Sequence, residues 1–285
     1  MTKLPIRFCF ALRPPEEIYG WPQGGPEGPL YLPWFGLTDG WYWMEIGDKE
    51  LFRYSDAIRA AWNEVNQPPY PAYPVVRFWE DMLQTLPYSL APIPDTLAER
   101  ITDQGAWANW LERAKEWSEG SSNEEAYAEQ YDLYDNATSW WYDRQLSYGH
   151  MNYTPDLWFW RHGDTMHVRW DNRDDAYIWE GIPVLAVRGF GEIAMPVSVY
   201  LEAIRDFDNR LMAAMAEQLD NVRLGRHRPE VTIYLPDVDQ DHAERTQHLN
   251  TILARTPHLR EMDWDEVMDA ITAIDTDPRF RANAS

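Results

Sequence analysis

Near the start of the chain, Ile6, Phe8, Phe10 and Leu12 alternate with Arg7, Cys9 and Ala11. A period of two predicts a strand with one buried face. Prolines and glycines then crowd residues 14–33 and forbid regular structure. Trp21, Tyr31, Leu32, Trp34 and Phe35 are placed to pin that segment down as an ordered loop. Thr38-Asp39-Gly40 turns the chain into a strand over 41–46, and Gly47-Asp48 closes a hairpin with 50–54. Residues 54–65 read as helical, ahead of Pro68-Pro69-Tyr70-Pro71.

The period then lengthens. Val75, Phe78, Trp79, Met82 and Leu86 recur at helical spacing, and Pro87 is expected to end that helix. Asp95 is placed to cap a short helix, and Trp107, Trp110, Leu111, Ala114 and Trp117 mark one face of another over 105–118. Ser122-Asn123-Glu124-Glu125 is a capping box for a helix reaching to about residue 146. Residues 157–162 and 165–170 return to period two around Gly163-Asp164, a strong hairpin signal. Further strands at 177–179, 184–187 and 192–194 are expected to extend the same sheet. Pro196 opens a long helix to about 222, with Leu201, Ile204, Leu211, Met215 and Val222 on its apolar stripe. A short strand (231–235) and helices at 240–255 and 264–274 follow, the last with Asp263 and Glu266 as a second capping box.

Short turns between the strands favour an α+β fold, in which an antiparallel sheet of aromatic-rich hairpins packs against several amphipathic helices. Residues 1–222 are expected to form a single α+β domain, with 223–285 as a mainly helical C-terminal extension packed on it. At 285 residues the chain can bury a core large enough to need no disulfide or metal staple. Its lone Cys9 sits in an apolar run and reads as a structural thiol. The N-terminal stretch is broken by Arg7 and Arg13, lacks a signal-peptide pattern, and no run is long enough to span a membrane; a cytoplasmic protein is expected.

The net charge of −22 argues against direct nucleic-acid binding and against anionic membranes, and favours a basic protein partner or simple solubility. Sixteen tryptophans and 16 tyrosines exceed what a solubility argument explains, because both residues also concentrate at interfaces. Common catalytic motifs are missing. Gly189-Phe190-Gly191 lacks the third glycine of a phosphate loop, and no cofactor site is expected. The Asp237–Asp241 run has His242 where a calcium loop needs glycine, so it reads as helix capping and no metal site is expected.

Two surfaces stand out. The helix after residue 122 carries Glu124, Glu125, Glu129, Asp132 and Asp135 with no positive charge before Arg144, and Trp140 and Trp141 lie near its end. These seven are the candidate partner-binding residues. The hairpin offers His162, Asp164 and His167, with His150 upstream and Trp160 and Arg161 alongside, as an alternative pocket for a small ligand or acid–base chemistry. Arg161, Arg169, Arg173 and Arg188 among Trp158, Trp160, Trp170 and Trp179 point to stacked cation–π ladders in the sheet.

Trp34-Phe35-Gly36-Leu37-Thr38-Asp39-Gly40-Trp41-Tyr42-Trp43, Arg77-Phe78-Trp79-Glu80-Asp81-Met82-Leu83 and Trp158-Phe159-Trp160-Arg161-His162-Gly163-Asp164 together resemble an uncharacterised family of bacterial proteins known only as a domain of unknown function. That resemblance covers about residues 5–222 and implies no catalytic residues. The leading expectation is an acidic protein-binding module of the kind that serves as an immunity protein against a basic toxin. The rivals are an enzyme or small-ligand binder in the Trp/Arg/His-lined sheet, and a nucleic-acid mimic.

Overall fold

The computed structural model describes residues 4–120, 124–146, 149–173, 178–256 and 262–282, and the fold is α+β with mainly antiparallel sheets. Strand β1 (Ile6–Leu12) leads through the proline-rich segment, which holds a 3-10 turn (Pro15–Glu17), β2 (Trp21–Pro22) and β3 (Leu30–Tyr31), to β4 (Gly40–Ile46) and β5 (Lys49–Leu51). In β4 the residues Gly40, Tyr42, Met44 and Ile46 are buried at every second position, as the alternation requires. β4 pairs antiparallel with both β1 and β5, and Gly47 takes the positive φ that the tight turn demands. Cys9 lies opposite Trp43 in this sheet and is buried; burial, with Glu45 nearby, pushes its thiol up to about 12, as suits a structural residue.

Helix α1 (Asp56–Ala61) is shorter than the 54–65 pattern suggests. It starts where the Ser55 hydroxyl accepts from the Ile58 amide and buries only Ile58. Helix α2 (Val75–Leu90) does not stop at Pro87 but runs a further turn. Pro87 removes one backbone donor near the helix end, while Leu86 and Leu90 on either side are buried; the Ala91 amide still closes onto the Pro87 carbonyl. Next come α3 (Asp95–Thr102), where Pro94 holds the N-cap position without a side-chain cap and Asp95 is already the first helical residue, α4 (Gln104–Glu119) and α5 (Glu124–Tyr142). The Ser122 capping box lies outside the described residues.

Strands β6 (Asp156–His162) and β7 (Thr165–Asn172) form the expected hairpin, with Gly163 at positive φ. The short strands β8 (Ile178–Trp179) and β9 (Ile182–Pro183) pair only with each other, and 184–187 is not a strand. β10 (Gly189–Pro196) alone extends the hairpin sheet, so β7 is its central strand. Helix α6 (Val197–Arg223), strand β11 (Val231–Thr232), α7 (Leu235–Arg255), α8 (Trp264–Thr276) and α9 (Pro278–Ala282) complete the chain. The acidic run at 237–241 falls inside the first turns of α7, and the Asp263 carboxylate caps α8 by accepting from the Glu266 amide at 3.1 Å.

Two cores share the β10–β7–β6 sheet. Leu157, Phe159, Met166, Val168 and Trp170 point to the larger one, where α2 and α6 lie between this sheet and β1–β4–β5. The Trp79 indole ties α2 to α6 through Asp208 at 2.9 Å, and Arg210 of α6 donates to the Phe8 carbonyl at 2.5 Å. The opposite face sends Trp160 into a second core built from α3, α4, α5, α8 and α9, where Trp107, Trp110, Trp117, Trp140 and Trp141 meet Ile271 and Phe280. The C-terminal segment reaches both cores: β11 adds to β3 in parallel, α7 packs on α6, and α8 packs on α5.

Gly191 faces Trp170 across the β10–β7 ladder, and a Cβ there would meet the indole at 2.0 Å. Gly191→Ala should therefore destabilise the fold by about 1–3 kcal/mol, read from urea unfolding, with no change in secondary-structure content. Unchanged stability would mean that the indole moves aside freely.

Candidate functional site

Helix α5 has two chemically distinct sides. Gln130, Ala137, Thr138, Trp140 and Trp141 are buried against α4, α8 and the sheet, while Glu124, Glu125, Glu129, Asp132 and Asp135 are exposed. Glu124 and Glu125 suit the helix N-terminus, where the macrodipole favours negative charge. Farther along, that benefit is gone. Glu125 and Glu129 stand at i,i+4, and Glu129, Asp132 and Asp135 follow at i,i+3 spacing, so each pair repels by a few tenths of a kcal/mol. Among the described residues, Glu129, Asp132 and Asp135 form no ion pair that offsets this repulsion. Beside the carboxylates runs a tyrosine stripe. Tyr127 and Tyr131 stack at 6.2 Å and are 41% and 50% exposed, and the Tyr134 and Tyr142 hydroxyls hydrogen-bond at 3.0 Å.

Trp140 and Trp141 are not part of this face. They are 0% and 2% exposed, facing Trp107 and Trp264 or Trp158 and Trp160, so they hold the second core together and cannot anchor a partner. Their order along the helix is right for its end; the helix rotation turns them inward. Arg144 does not neutralise the acidic face either. It is buried over Trp140 and Trp264, donates to the Trp140 and Ala91 carbonyls, and burial lowers it to about 10.

The hairpin residues do not assemble into the alternative pocket. His162 and His167 share one face of the hairpin, yet each takes its own carboxylate: His162 pairs with Asp95 at 2.8 Å and His167 with Glu192 at 2.9 Å. Asp164 is fully exposed at the turn, where Arg161 stands 3.5 Å away and also donates to the Gly163 carbonyl. Trp160 is buried with its ring stacked on His167 at 5.0 Å. Arg169 lies over Trp160 at 4.7 Å and is held by Glu192 at 2.8 Å and the Ile101 carbonyl, as a cation–π ladder requires. The second core packs on Trp158 and Trp160 on this side of the sheet, so those positions serve packing. Among the described residues, no group of three or more His, Cys, Asp or Glu side chains is arranged to hold a metal ion.

His150 belongs to a different place. Its ring packs on Tyr73 at 4.5 Å, and Nδ1 stands 3.7 Å from Oδ2 of Asp81 on α2. The other Asp81 oxygen is 3.0 Å from Nε of Arg77. Burial pushes the Asp81 carboxyl up to about 7, against the opposing pull of Arg77, and Glu80 adds to the rise; burial, then Arg77, lowers His150. Asp81 Oδ2, both His150 ring nitrogens and the Tyr42 hydroxyl are buried without a hydrogen-bond partner. Asp81 also lines a groove of about 390 Å³ between α2, the end of α5 and α7, with Gln84, Tyr88, Tyr142, Asp143 and Ile252. Sequence reasoning passed over Asp81. The available signal was a carboxylate between Phe78 and Met82, on the stripe that α2 turns inward.

The chain belongs to a family of unknown function (DUF5984), which it matches over residues 7–270, beyond the span of the motif resemblance and into α8. No curated protein and no solved structure matches it. Among the described residues, no helix is long and apolar enough to cross a membrane.

Trp140→Ala should cost about 3–5 kcal/mol in urea unfolding, the loss expected of a core indole and not of a surface anchor. Asp81 gives a pH signature. Its carboxyl is held at about 7 in the fold, above the roughly 3.9 of an unfolded chain, so its contribution is complete below that lower value and is lost as pH rises through about 7. Asp81→Asn, which has no charge to bury, should therefore gain in melting temperature relative to the parent between pH 5 and pH 8. A difference that stays flat across that range would rule out the buried charge.

Proposed function

We propose that this protein is a cytoplasmic protein-binding module that captures a basic protein partner on the exposed face of α5, in the manner of an immunity protein neutralising a bacterial toxin. One observation carries the reading: Glu129, Asp132 and Asp135, which repel one another along α5, are exposed and form no ion pair among the described residues, and exposed tyrosines flank them. A fold alone has no use for that arrangement, because it weakens the helix in isolation. A cationic partner turns the repulsion into attraction. The overall charge of −22 steers such a partner inward over long range, and Tyr127 and Tyr131 supply amphipathic contact area once it arrives. The scaffold fits the task, since β6 and β7 are packed on both faces and α5 is fixed by two buried indoles and by α8.

The test is association kinetics with a basic protein partner, starting with any that is encoded beside this gene. Reversing three charges (Glu129→Lys, Asp132→Lys, Asp135→Lys) should slow association roughly 10- to 100-fold at low ionic strength, with the melting temperature kept or raised. The parent protein's rate should itself fall steeply with added salt. An association rate that ignores both salt and the three substitutions would remove the α5 face from the reading.

A further inference from the structure

The β10–β7–β6 sheet has two outer strands, β6 and β10, and they end differently. Outside β6, the Leu146 amide donates to the Leu157 carbonyl, the Phe159 amide to the Arg144 carbonyl and the Ile93 amide to the Arg161 carbonyl. Odd-numbered residues of β6 thus turn their backbone groups outward, into chain that covers them. Antiparallel alternation fixes the rest of the ladder: Trp158, Trp160 and His162 bond to β7, and β7 turns Met166, Val168 and Trp170 toward β10. The residues facing these on β10 are Met195, Ile193 and Gly191. Phe190, Glu192 and Ala194 therefore direct their N–H and C=O groups away from β7. Among the described residues no hydrogen bond reaches those groups, and all three residues are exposed.

The side chains of the same three residues lie on the tryptophan side of the sheet, yet the second core takes Trp158 and Trp160 of β6 and no residue of β10. Phe190 stays 40% exposed beside Arg169 and Arg173, and Ala194 leaves a flat step next to it. We propose that β10 receives an extended, net-basic segment of another protein as a fourth strand, bonded through its main chain to Phe190, Glu192 and Ala194. A row of unpaired donors and acceptors is a template for a strand, and side chains of the incoming segment would rest on Phe190 and Ala194. Charges beside the edge are already paired, Glu192 with Arg169 and His167, and Asp171 with Arg173. The long-range field of a chain carrying −22 then selects the sign of the segment. It also disfavours a second copy: antiparallel pairing centred on the outward residues would set Glu192 against its own counterpart, between two chains that repel. The edge uses none of the α5 residues, so it stands whether or not α5 binds a partner.

The test is amide hydrogen exchange on the full-length protein, read residue by residue. In the free protein Gly191, Ile193 and Met195 should be protected, while Phe190, Glu192 and Ala194 exchange about tenfold faster or more. The probe is a synthetic peptide of alternating lysine and valine, matched to the 8 residues of β10. With free peptide at about ten times its Kd, exchange at Phe190, Glu192 and Ala194 should slow about tenfold. The same peptide N-methylated at every residue keeps its charge and side chains but cannot donate, and should leave exchange unchanged. Glutamate in place of lysine should weaken binding about tenfold or more. Ala194→Pro removes an outward donor without touching the β7 ladder, and should weaken binding about fivefold or more. The peptide comparisons leave the protein unaltered, so they decide the matter even if that variant fails to fold. Slow exchange at the three amides in the free monomer would show an edge already covered and overturn the proposal. The same protection in a dimer, seen by sedimentation, would give the edge to a second copy and overturn the partner strand. An equal effect of the N-methylated peptide would sink strand addition, and equal binding of the glutamate peptide would sink the basic occupant.

Discussion

Strands β6 and β7 are packed on both faces, and the placement of much of the chain follows from that. Their aliphatic side demands α2 and α6; their tryptophan side demands α3, α4 and α5, and these in turn need α8 and α9 to close over them. Arg169 concentrates the constraint. A guanidinium almost fully buried beneath indoles is tolerable only because Glu192 and the Ile101 carbonyl accept its hydrogen bonds. Removing one partner of such a buried pair typically costs about 3–5 kcal/mol, so the two charges must be present together. The register of β10 on β7 places Glu192 opposite Arg169 and Gly191 beneath Trp170, so electrostatics and packing select the same alignment.

Covering both faces of β6 and β7 consumes most of the aromatic inventory. Tryptophans of α4, α5 and β6 pack on one another at ring distances between 5.0 and 5.9 Å, where edge-to-face and offset arrangements are favourable. What is left at the surface of α5 is tyrosine and carboxylate, the residues whose polar ends tolerate water. The interior is thus assigned by size and apolarity, and the exposed face of α5 by what the interior does not accept.

Much of this was legible in the residues. The α2 stripe, the hairpin around Gly163, the long α6 helix and the Asp263 cap all rest on local periodicity or a local hydrogen bond, and the structure shows them. Pro87 and the strands expected at 177–187 differ because neighbours decide them: burial on either side carries α2 past its proline, and β8 and β9 close on each other before reaching the sheet. The candidate residues divide in the same way. The carboxylates of α5 face solvent, as the charge pattern implied, but Trp140 and Trp141 share that helix and face inward. His162 and His167 share a face of the hairpin, yet Asp95 and Glu192, distant in sequence, claim them separately.

The sequence by itself determined the secondary elements with strong periods, the acidic stripe and the lack of common catalytic motifs, because each is encoded within a few turns of chain. Only the tertiary structure decided which side of each element meets solvent, that the C-terminal helices complete the cores, that Asp81, Tyr142 and Asp143 border one groove, and that His150 packs beside Asp81. Those residues come from different elements, and their proximity depends on long-range packing that no local period carries. The acidic stripe was visible as composition. Its character as a surface bordered by tyrosines arose from the fold.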